Sequence, residues 1–436
     1  MKSRFLLPKL RAAERLLGET GIKFIKAIYP SETEDVEIQR MADAYYKWLT
    51  KEDPVTENHQ FFDHLSDAIQ FDGDATHLMT CDMEEFHRCI PETARLVLLQ
   101  ARGSTLPVEA GRLSRIHLDP HYNFDRLYEA LERGFDQGHV DQRFLYMGPD
   151  SVRRWKGMIS GGKYHTHDEC LAAISALIAS SDWKRLFHFG KFDAVVDLGA
   201  GTAIKARRVV DDFLSHTSRG KLHIAVVDTS LYMLDAAASN FLPLVREHPD
   251  RLTYDGYCAD FCDLRGIAKE IRGEEGAIYL LLGSTFANTQ ERQLLKSLQR
   301  QTNPGDLFIV GVEFFDLSVE GSELERMLVQ FKDDNLAALG LSAVRLLPKM
   351  HNLTGITSEV KPTVSAPGEF SDLLDVRAIK IELRFGGKEI LVAFSNRYKD
   401  DTFQAFIESY GFSYLAEEVS PLNPRYKLKI FQRRDR

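Results

Sequence analysis

One stretch, residues 193–207, constrains the fold of this chain more than any other. Its sequence, DAVVDLGAGTAIKAR, runs from an apolar segment ending in Asp197 into a turn with Gly199 and Gly201, and then into a helical pattern. This order predicts a buried strand, a tight turn and a helix start. Glycines in such a turn let a ligand lie directly against the backbone, and free N–H groups at the helix start can meet its polar atoms. Open α/β sheets also carry such turns without a ligand.

The composition is that of an ordinary water-soluble globular protein. The 436 residues are 44% hydrophobic and 27% charged, and the formal net charge is −9. Because this charge repels a phosphate backbone, we expect no nucleic-acid partner. The five cysteines form no CxxC pair, which predicts neither a disulfide framework nor a cysteine zinc site and favours a cytoplasmic location. The N-terminus lacks a signal-peptide core, and no apolar run of about 18 residues predicts a membrane span.

From residue 191 onward, apolar runs alternate with helical segments. This alternation predicts a mostly parallel sheet covered by helices on both faces. Five strands are predicted, at Ala194–Val196, His223–Val227, Thr253–Tyr257, Ala277–Leu282 and Asp306–Val312. Ligands bind to such a sheet at the carboxyl ends of its strands.

Acidic residues stand at the ends of the first three of these strands. Besides Asp197, Asp228 ends the second strand, where a carboxylate can accept two hydrogen bonds from a ribose diol. Asp260 follows the third strand, where it can accept a hydrogen bond from an exocyclic amine while Phe261 packs on a flat ring. A single acid at a strand end is often a helix N-cap, but three beside a glycine turn indicate a nucleoside site.

The glycine turn also indicates which nucleoside the site takes. It reads G-x-G-T-A rather than G-x-G-x-x-G, and no P-loop Gly-Lys-Ser/Thr follows it. No pyrophosphate therefore needs to be cradled, and Asp197 can reach the charged amino-acid part of a sulfonium nucleoside. We predict S-adenosylmethionine (SAM) as the cofactor, with a dinucleotide as the alternative, and no metal ion.

Five segments are predicted along the chain. Residues 1–140 are expected to form a helical N-terminal domain, either a homodimer interface or an extended substrate lid. Residues 141–190 form a substrate-binding lid, and 191–315 form the Rossmann-like cofactor core. Residues 316–375 are an insertion that caps the active site, and 376–436 supply strands that complete the sheet and the substrate site. The expected fold class is α/β.

The strand-end residues resemble the nucleoside site of the class I SAM-dependent methyltransferases. More narrowly, the chain resembles the histidine-specific methyltransferase family, which makes trimethylhistidine in ergothioneine biosynthesis. The matching stretches are GAGTAIKAR (199–207), DTS (228–230), DF (260–261), LLGSTFAN (281–288) and PGD (304–306). In the family the first motif reads G-S-G-T-x-x-K-x-R and the fourth strand ends G-S-T-x-x-N. The resemblance covers residues 141–436, weakly between 316 and 375.

The resemblance implies roles for individual residues. The cofactor site would comprise Asp197, Gly199, Gly201, Thr202, Lys205, Asp228, Asp260, Phe261 and Gly283. At the acceptor, Asn288 would hold the amine or carboxylate, Tyr164 would hydrogen-bond the reacting group, and Glu382 would face the side chain. These last three are the catalytic candidates.

Three further residues are candidates for acceptor binding. Tyr146 either covers the ligand or packs between domains, and Glu313, at the end of the fifth strand, either reaches the acceptor or forms a salt bridge. Arg384 stands two residues after Glu382, where the family uses a small polar residue. The Phe-Asn-x-Asn helix of the family is not recognisable at Phe331–Asn335. Both departures concern side-chain recognition, so the resemblance implies methyl transfer more firmly than histidine as the acceptor.

We therefore expect a biosynthetic N-methyltransferase that acts on an amino acid or a related small molecule. Histidine is the first candidate, and the guanidinium of arginine is a second, because Glu382 and Glu313 suit a cation. Two further possibilities are an enzyme that transfers or cyclises the aminocarboxypropyl arm of SAM, and a non-catalytic scaffold. For methyl transfer the enzyme has to align a lone pair with an already activated methyl group and exclude water.

Overall fold

The computed structural model describes the chain from residue 105 onward, apart from short gaps. The described stretches are 105–107, 114–119, 124–147, 151–161, 164–186, 192–216, 220–315, 322–345, 359–385 and 388–435. Residues 1–104 of the segment 1–140, which is predicted to be helical, lie outside them.

The strands form one large and one small sheet. In chain order they are β1 (Thr105–Pro107), β2 (Ser114–Leu118), β3 (Ala194–Leu198), β4 (Leu222–Asp228), β5 (Leu252–Cys258), β6 (Ala277–Leu281), β7 (Leu307–Glu313), β8 (Glu359–Val364), β9 (Arg377–Phe385), β10 (Lys388–Arg397), β11 (Phe412–Ser420) and β12 (Asn423–Arg433). The nine-stranded sheet has the order β1-β2-β5-β4-β3-β6-β7-β12-β11, and its strands β2 to β7 run parallel.

The five strands predicted after residue 191 are all present, as β3 to β7. Every residue of β3 and β7 is buried. Two clusters of buried side chains cover the two faces of the sheet, with Val195 of β3 in one cluster and Val196 in the other. Burial on both faces explains why these strands are continuous apolar runs rather than alternating patterns.

Helices cover both faces of the sheet. They are α1 (Phe124–Asp136), α2 (Ser151–Ser160), α3 (Thr166–Ala179), α4 (Ser181–Leu186), α5 (Ile204–His216), α6 (Leu231–Glu247), α7 (Ala268–Ile271), α8 (Glu291–Gln301), α9 (Ser322–Val329), α10 (Asp334–Arg345) and α11 (Asp400–Ser409). Two 3₁₀ helices, Gln142–Tyr146 and Thr285–Asn288, lie next to the functional site described below. Within the part of the chain that the structure describes, no helix is long and apolar enough to cross a membrane.

Two features of the strands differ from the expectations. Segment 1–140, which is expected to be mainly helical, also contains the short strands β1 and β2, and β2 pairs in parallel with β5 and buries Ile116. A five-residue strand gives too short a pattern to recognise before its partner is known. The C-terminal strands also do not all complete the large sheet. Only β11 and β12 do so, whereas β9 and β10 pair with β8 in a separate sheet.

The small sheet and the insertion both reach the carboxyl end of the large sheet. Helix α10 of the insertion packs on α2, and a Cβ at Gly157 of α2 would lie 2.8 Å from the side-chain oxygen of Asn335. Strand β10 of the small sheet packs against both 3₁₀ helices. The insertion thus packs on the segment 141–190, and the small sheet lies next to the loop that follows β6.

Candidate active site

A cavity of about 350 Å³ lies at the carboxyl ends of the central parallel strands. Most of the residues predicted for the cofactor and the acceptor line it, namely Tyr146, Tyr164, Gly199, Gly201, Thr202, Lys205, Asp228, Asp260, Phe261, Gly283 and Asn288. Its volume is in the range of small-molecule and cofactor pockets. The fold therefore brings these residues, which are spread over more than a hundred positions, to one cavity.

The glycine turn forms part of the cavity wall. Gly199 and Gly201 have φ angles of +63° and +56°, which favour glycine. A Cβ at Gly199 would lie 2.8 Å from Cγ2 of Thr285 and 3.0 Å from Cε1 of Phe261. Glycine at position 199 is thus required both by the backbone conformation and by the close approach of two cavity side chains.

The carboxylate of Asp228 connects the end of β4 to this turn. One oxygen accepts a hydrogen bond from the backbone N–H of Gly201 and the other from that of Ser230, each at 2.9 Å. Burial raises the pKa of Asp228 to about 6, although these hydrogen bonds oppose the shift. The acid predicted for the ribose is therefore also a structural support of the glycine turn.

Three polar side chains gather at one end of the cavity. Lys205 lies directly against Gly283, so that a Cβ at Gly283 would clash with the lysine nitrogen. Asp197 lies behind the lining, and its Oδ2 has no hydrogen-bond partner among the described residues. His167, at the start of α3, lines the cavity with Nδ1 buried and likewise unpartnered within the described chain. The sequence reasoning missed His167.

Burial dominates the charge states of this group. It raises the pKa of Asp197 to about 7, while Lys205 opposes the rise. It lowers the pKa of His167 to about 4, and the positive charge of Lys205 lowers it further. At neutral pH the site thus holds a neutral imidazole, a lysine and a carboxyl group that is near its midpoint.

Asp260 is held by an arginine that the sequence reasoning also missed. Its Oδ2 accepts a hydrogen bond from Nη1 of Arg143 at 3.1 Å, and its Oδ1 accepts one from the backbone N–H of Cys262 at 2.9 Å. Arg143 in turn donates to Asp141 at 2.8 Å. Because Arg143 and Asp260 are 117 positions apart, no local pattern in the sequence indicates their contact.

Three aromatic side chains line the cavity next to the glycine turn. Trp155 of α2 makes edge-on contacts with Tyr146 and Tyr164, with ring centroids 5.8 and 5.9 Å apart. Its indole nitrogen lies 3.8 Å from the position that a Cβ at Gly201 would take. Burial raises the pKa of Tyr164 to about 12, so its phenol stays protonated and can donate a hydrogen bond. Trp155 was not among the predicted residues.

Asn288 ends the 3₁₀ helix that follows β6. The turn begins at Ser284, a non-glycine residue with a φ angle of +62°, and the Oδ1 atom of Asn288 is buried without a partner among the described residues. Since Asn288 also lines the cavity, this oxygen is a hydrogen-bond acceptor available to a ligand.

Three of the predicted acceptor residues lie outside the cavity lining. Glu313 forms a buried salt bridge with Arg397, at 3.3 Å, and accepts a hydrogen bond from Asn423, which agrees with the second of its two predicted roles. Glu382 lies 3.7 Å from Lys380, and Arg384 pairs with Glu389 on the surface.

The alternation along β9 accounts for the position of Glu382 and Arg384. Ile381 and Leu383 are buried in the core, so the residues between and after them point to the other face of the small sheet. The expectation that Glu382 faces the acceptor is not supported by its place in the fold, and neither is a role of Arg384 there.

The sheet order, the glycine turn and the strand-end acids are those of a SAM-dependent methyltransferase, and the comparison with known families agrees. Residues 164–326 match a family model described as histidine-specific methyltransferase, SAM-dependent. Over this segment the chain matches SAM-dependent methyltransferases, and the description of the matched family gives SAM as the cofactor. No curated protein matches the chain by sequence.

Solved structures with a similar arrangement are also methyltransferases. The CcbJ methyltransferase from Streptomyces caelestis is 13% identical, with 61% of this chain and 90% of that chain covered and a TM-score of 0.33. The 1,6-didemethyltoxoflavin-N1-methyltransferase of Burkholderia thailandensis is 11% identical, with 76% and 100% covered and a TM-score of 0.33. The glycopeptide N-methyltransferase MtfA, solved with SAM, is 11% identical, with 60% and 94% covered and the same TM-score. Likenesses at this level carry no argument about the acceptor.

Proposed function

We propose that this enzyme transfers the methyl group of SAM to the amine of an amino acid or a closely related small molecule, with a histidine-like acceptor as the first candidate. The observation that carries the proposal is that one cavity in the described part of the chain is lined both by Asn288, whose buried Oδ1 has no partner among the described residues, and by Tyr164, whose phenol stays protonated. The pair can accept a hydrogen bond from an amine and donate one to a polar acceptor group. The description of the matched family supports an amino-acid acceptor.

The residues of the cavity fit SAM. In the lining, Lys205 suits the carboxylate of the cofactor. Asp197 lies behind the lining, and its oxygen that has no partner among the described residues would serve the ammonium group. Asp228 would hold the ribose and Asp260 the adenine amine. Gly199 and Gly201 line the cavity, so the cofactor would lie against the backbone of the glycine turn.

Bound SAM supplies a sulfonium methyl group that needs no further activation. The nitrogen lone pair of the acceptor forms the new N–C bond while the electron pair of the S–C bond stays on sulfur, so the amine must first lose its proton to solvent. This loss of a proton would be easier next to the positive charge of the sulfonium, because a nearby cation lowers the pKa of an ammonium group. Tyr164 and Asn288 orient the neutral amine, and Trp155 excludes water.

The arginine alternative loses its support from the residues. It relied on Glu382 and Glu313, and both lie outside the cavity lining that the structure describes. Transfer of the aminocarboxypropyl arm of SAM is not favoured by any contact in the described cavity. It differs from methyl transfer in its nucleoside product, which is methylthioadenosine instead of S-adenosylhomocysteine.

Incubation of the purified protein with methyl-labelled SAM and a panel of acceptors tests the proposal. The panel contains the twenty amino acids, their Nα-methyl derivatives and the corresponding decarboxylated amines. We expect labelled product from at least one α-amino acid together with S-adenosylhomocysteine, and none with the variant Asp228→Ala. Absence of transfer to every amine, or methylthioadenosine as the product, would overturn it.

A further inference from the structure

The side chain of Gln142 joins two parts of the cavity wall. Its Oε1 accepts a hydrogen bond from the backbone N–H of Phe394 on β10 at 3.2 Å. Its Nε2 donates to the backbone carbonyl of Asn288. These partners are 252 and 146 positions away in the sequence, so one amide group connects the lid segment, the small sheet and the loop after β6.

Both hydrogen bonds require the amide in one orientation. A backbone N–H can only donate and a backbone carbonyl can only accept, so the oxygen of Gln142 must face Phe394 and its NH₂ group must face Asn288. A carboxylate of the same shape satisfies the first contact and not the second. The site therefore distinguishes glutamine from glutamate.

Asn288, whose backbone carbonyl accepts the hydrogen bond from Gln142, also has a side chain that is available to a ligand. Asn288 has its Oδ1 buried and unpartnered among the described residues, and Gln142, Asn288 and Phe394 all line the cavity. The turn that leads to Asn288 starts with Ser284 at a φ angle of +62°. Such a conformation is strained for a residue other than glycine and persists only where surrounding contacts determine it. The hydrogen bond from Gln142 is such a contact.

We propose that Gln142 is a positioning residue for methyl transfer, which holds the backbone of Asn288 so that Oδ1 meets the acceptor amine. The inference rests on the proposed function, because it takes the acceptor to be an amine bound by Asn288. Gln142 acts through Asn288, and the contact with Phe394 sets the position from which it acts.

The variant Gln142→Glu tests the inference through its pH dependence. At pH 8 its carboxylate would face the carbonyl oxygen of Asn288 without a proton between them, and we expect kcat/KM for the acceptor to fall about 10–100-fold, since small displacements of a reacting group cost factors of this size. The pKa of a glutamate is about 4.3 and burial raises it, so a growing fraction of the variant is protonated at lower pH. A protonated carboxyl group can donate to the carbonyl. The ratio of variant to wild-type kcat/KM should therefore rise as pH falls from about 8 to about 5.5.

Two controls separate positioning from general damage. Gln137→Glu places the same charge on a nearby exposed residue that does not line the cavity and should leave the ratio constant. The dissociation constant of SAM for Gln142→Glu should stay within about twofold of wild type, because its predicted ligands are on other elements. Wild-type kcat/KM for Gln142→Glu at pH 8, a loss that does not change with pH, or an equal loss of SAM affinity would each overturn the inference.

A readout without catalysis keeps the two proposals distinguishable. Hydrogen exchange measured by mass spectrometry should be faster in segment 285–289 of Gln142→Ala than of wild type, whereas Gln137→Ala should match wild type. If the wild type methylates no amine, the proposed function fails. Faster exchange in Gln142→Ala would still show that Gln142 holds the backbone of Asn288 in place. If the wild type is active and neither exchange nor kcat/KM changes in the variants, only the inference about Gln142 fails.

Discussion

The backbone N–H of Gly201 donates a hydrogen bond to the carboxylate of Asp228, with the two atoms 2.9 Å apart. The acid that ends one strand thereby supports the glycine turn that follows its neighbour. Ionisation of Asp228 consequently affects both the shape of the turn and the ligand predicted to bind there. The first prediction concerns this coupling.

SAM affinity should increase as pH rises from about 5.5 to 8. Burial raises the pKa of Asp228 to about 6 and that of Asp197 to about 7, and only the ionised carboxylates suit ribose hydroxyls and an ammonium group. Calorimetric titration at several pH values measures the effect, with net proton release near pH 6.5. In Asp197→Asn the upper part of the pH dependence should disappear. Affinity that is constant between pH 5.5 and 8 would contradict this assignment.

The same two carboxyl groups should make the ligand-free protein less stable at higher pH. The pKa of an aspartate in an unfolded chain is about 3.9, so the folded state binds more protons between about pH 4 and 7. The free energy of unfolding contributed by these groups therefore falls as pH rises through that window. Urea unfolding at pH 5 and pH 8 checks the sign, and a smaller difference is expected for Asp197→Asn than for wild type.

Substitution of Gly199 should damage the cofactor site beyond the cost of its backbone conformation. In Gly199→Ala the Cβ would meet Thr285 and Phe261 at 2.8 and 3.0 Å. Gly305→Ala is the matched control, because Gly305 also has a positive φ angle, +92°, and a Cβ there would meet nothing within 4 Å. Both variants should lose about 1–2 kcal/mol of stability from the left-handed backbone. Only Gly199→Ala should weaken SAM binding, by about tenfold or more, in the same titration.

Trp155 should contribute to acceptor binding through the two tyrosines that it contacts. Trp155→Ala removes the ring between Tyr146 and Tyr164, and we expect a higher acceptor KM and a lower kcat, with Trp155→Phe intermediate. Trp183→Phe is the control, since this buried tryptophan donates to Asp212 away from the cavity lining. That variant should lower the melting temperature and leave the acceptor KM unchanged. Equal KM values for Trp155→Ala and wild type would exclude this role.

Substitution of Asn288 and of Glu382 should have different effects on the reaction with the acceptor, because only Asn288 lines the cavity. Asn288→Ala should reduce kcat/KM for the acceptor about 10–100-fold, because it removes the free oxygen in the described cavity wall. Glu382→Ala should change kcat/KM less than about twofold, because its side chain lies outside the cavity lining and beside Lys380. Steady-state kinetics with unchanged melting temperatures decides between them. A large loss in Glu382→Ala alone would restore the role implied by the family resemblance.

Local chemistry explains which parts of the site could be predicted. The turn at Gly199 and Gly201 and the acids Asp228 and Asp260 are positioned by their own strands, and in a parallel sheet the strand ends lie together. Their place in one cavity follows from residue order and the hydrophobic pattern. Strand β2 could not be recognised in the same way, because its partner β5 lies more than a hundred positions further along the chain.

The sequence by itself determined the parallel core, the glycine turn and the kind of cofactor, because each depends on apolar runs and residue types within a few positions of one another. The tertiary structure decided which side chains complete the cavity. Arg143 reaches Asp260, Gln142 reaches Asn288 and Trp155 reaches the tyrosines only after separate elements pack together. It also decided that the polar face of β9, with Glu382, lies outside the cavity lining, since alternation marks two faces of a strand but not which one meets a ligand.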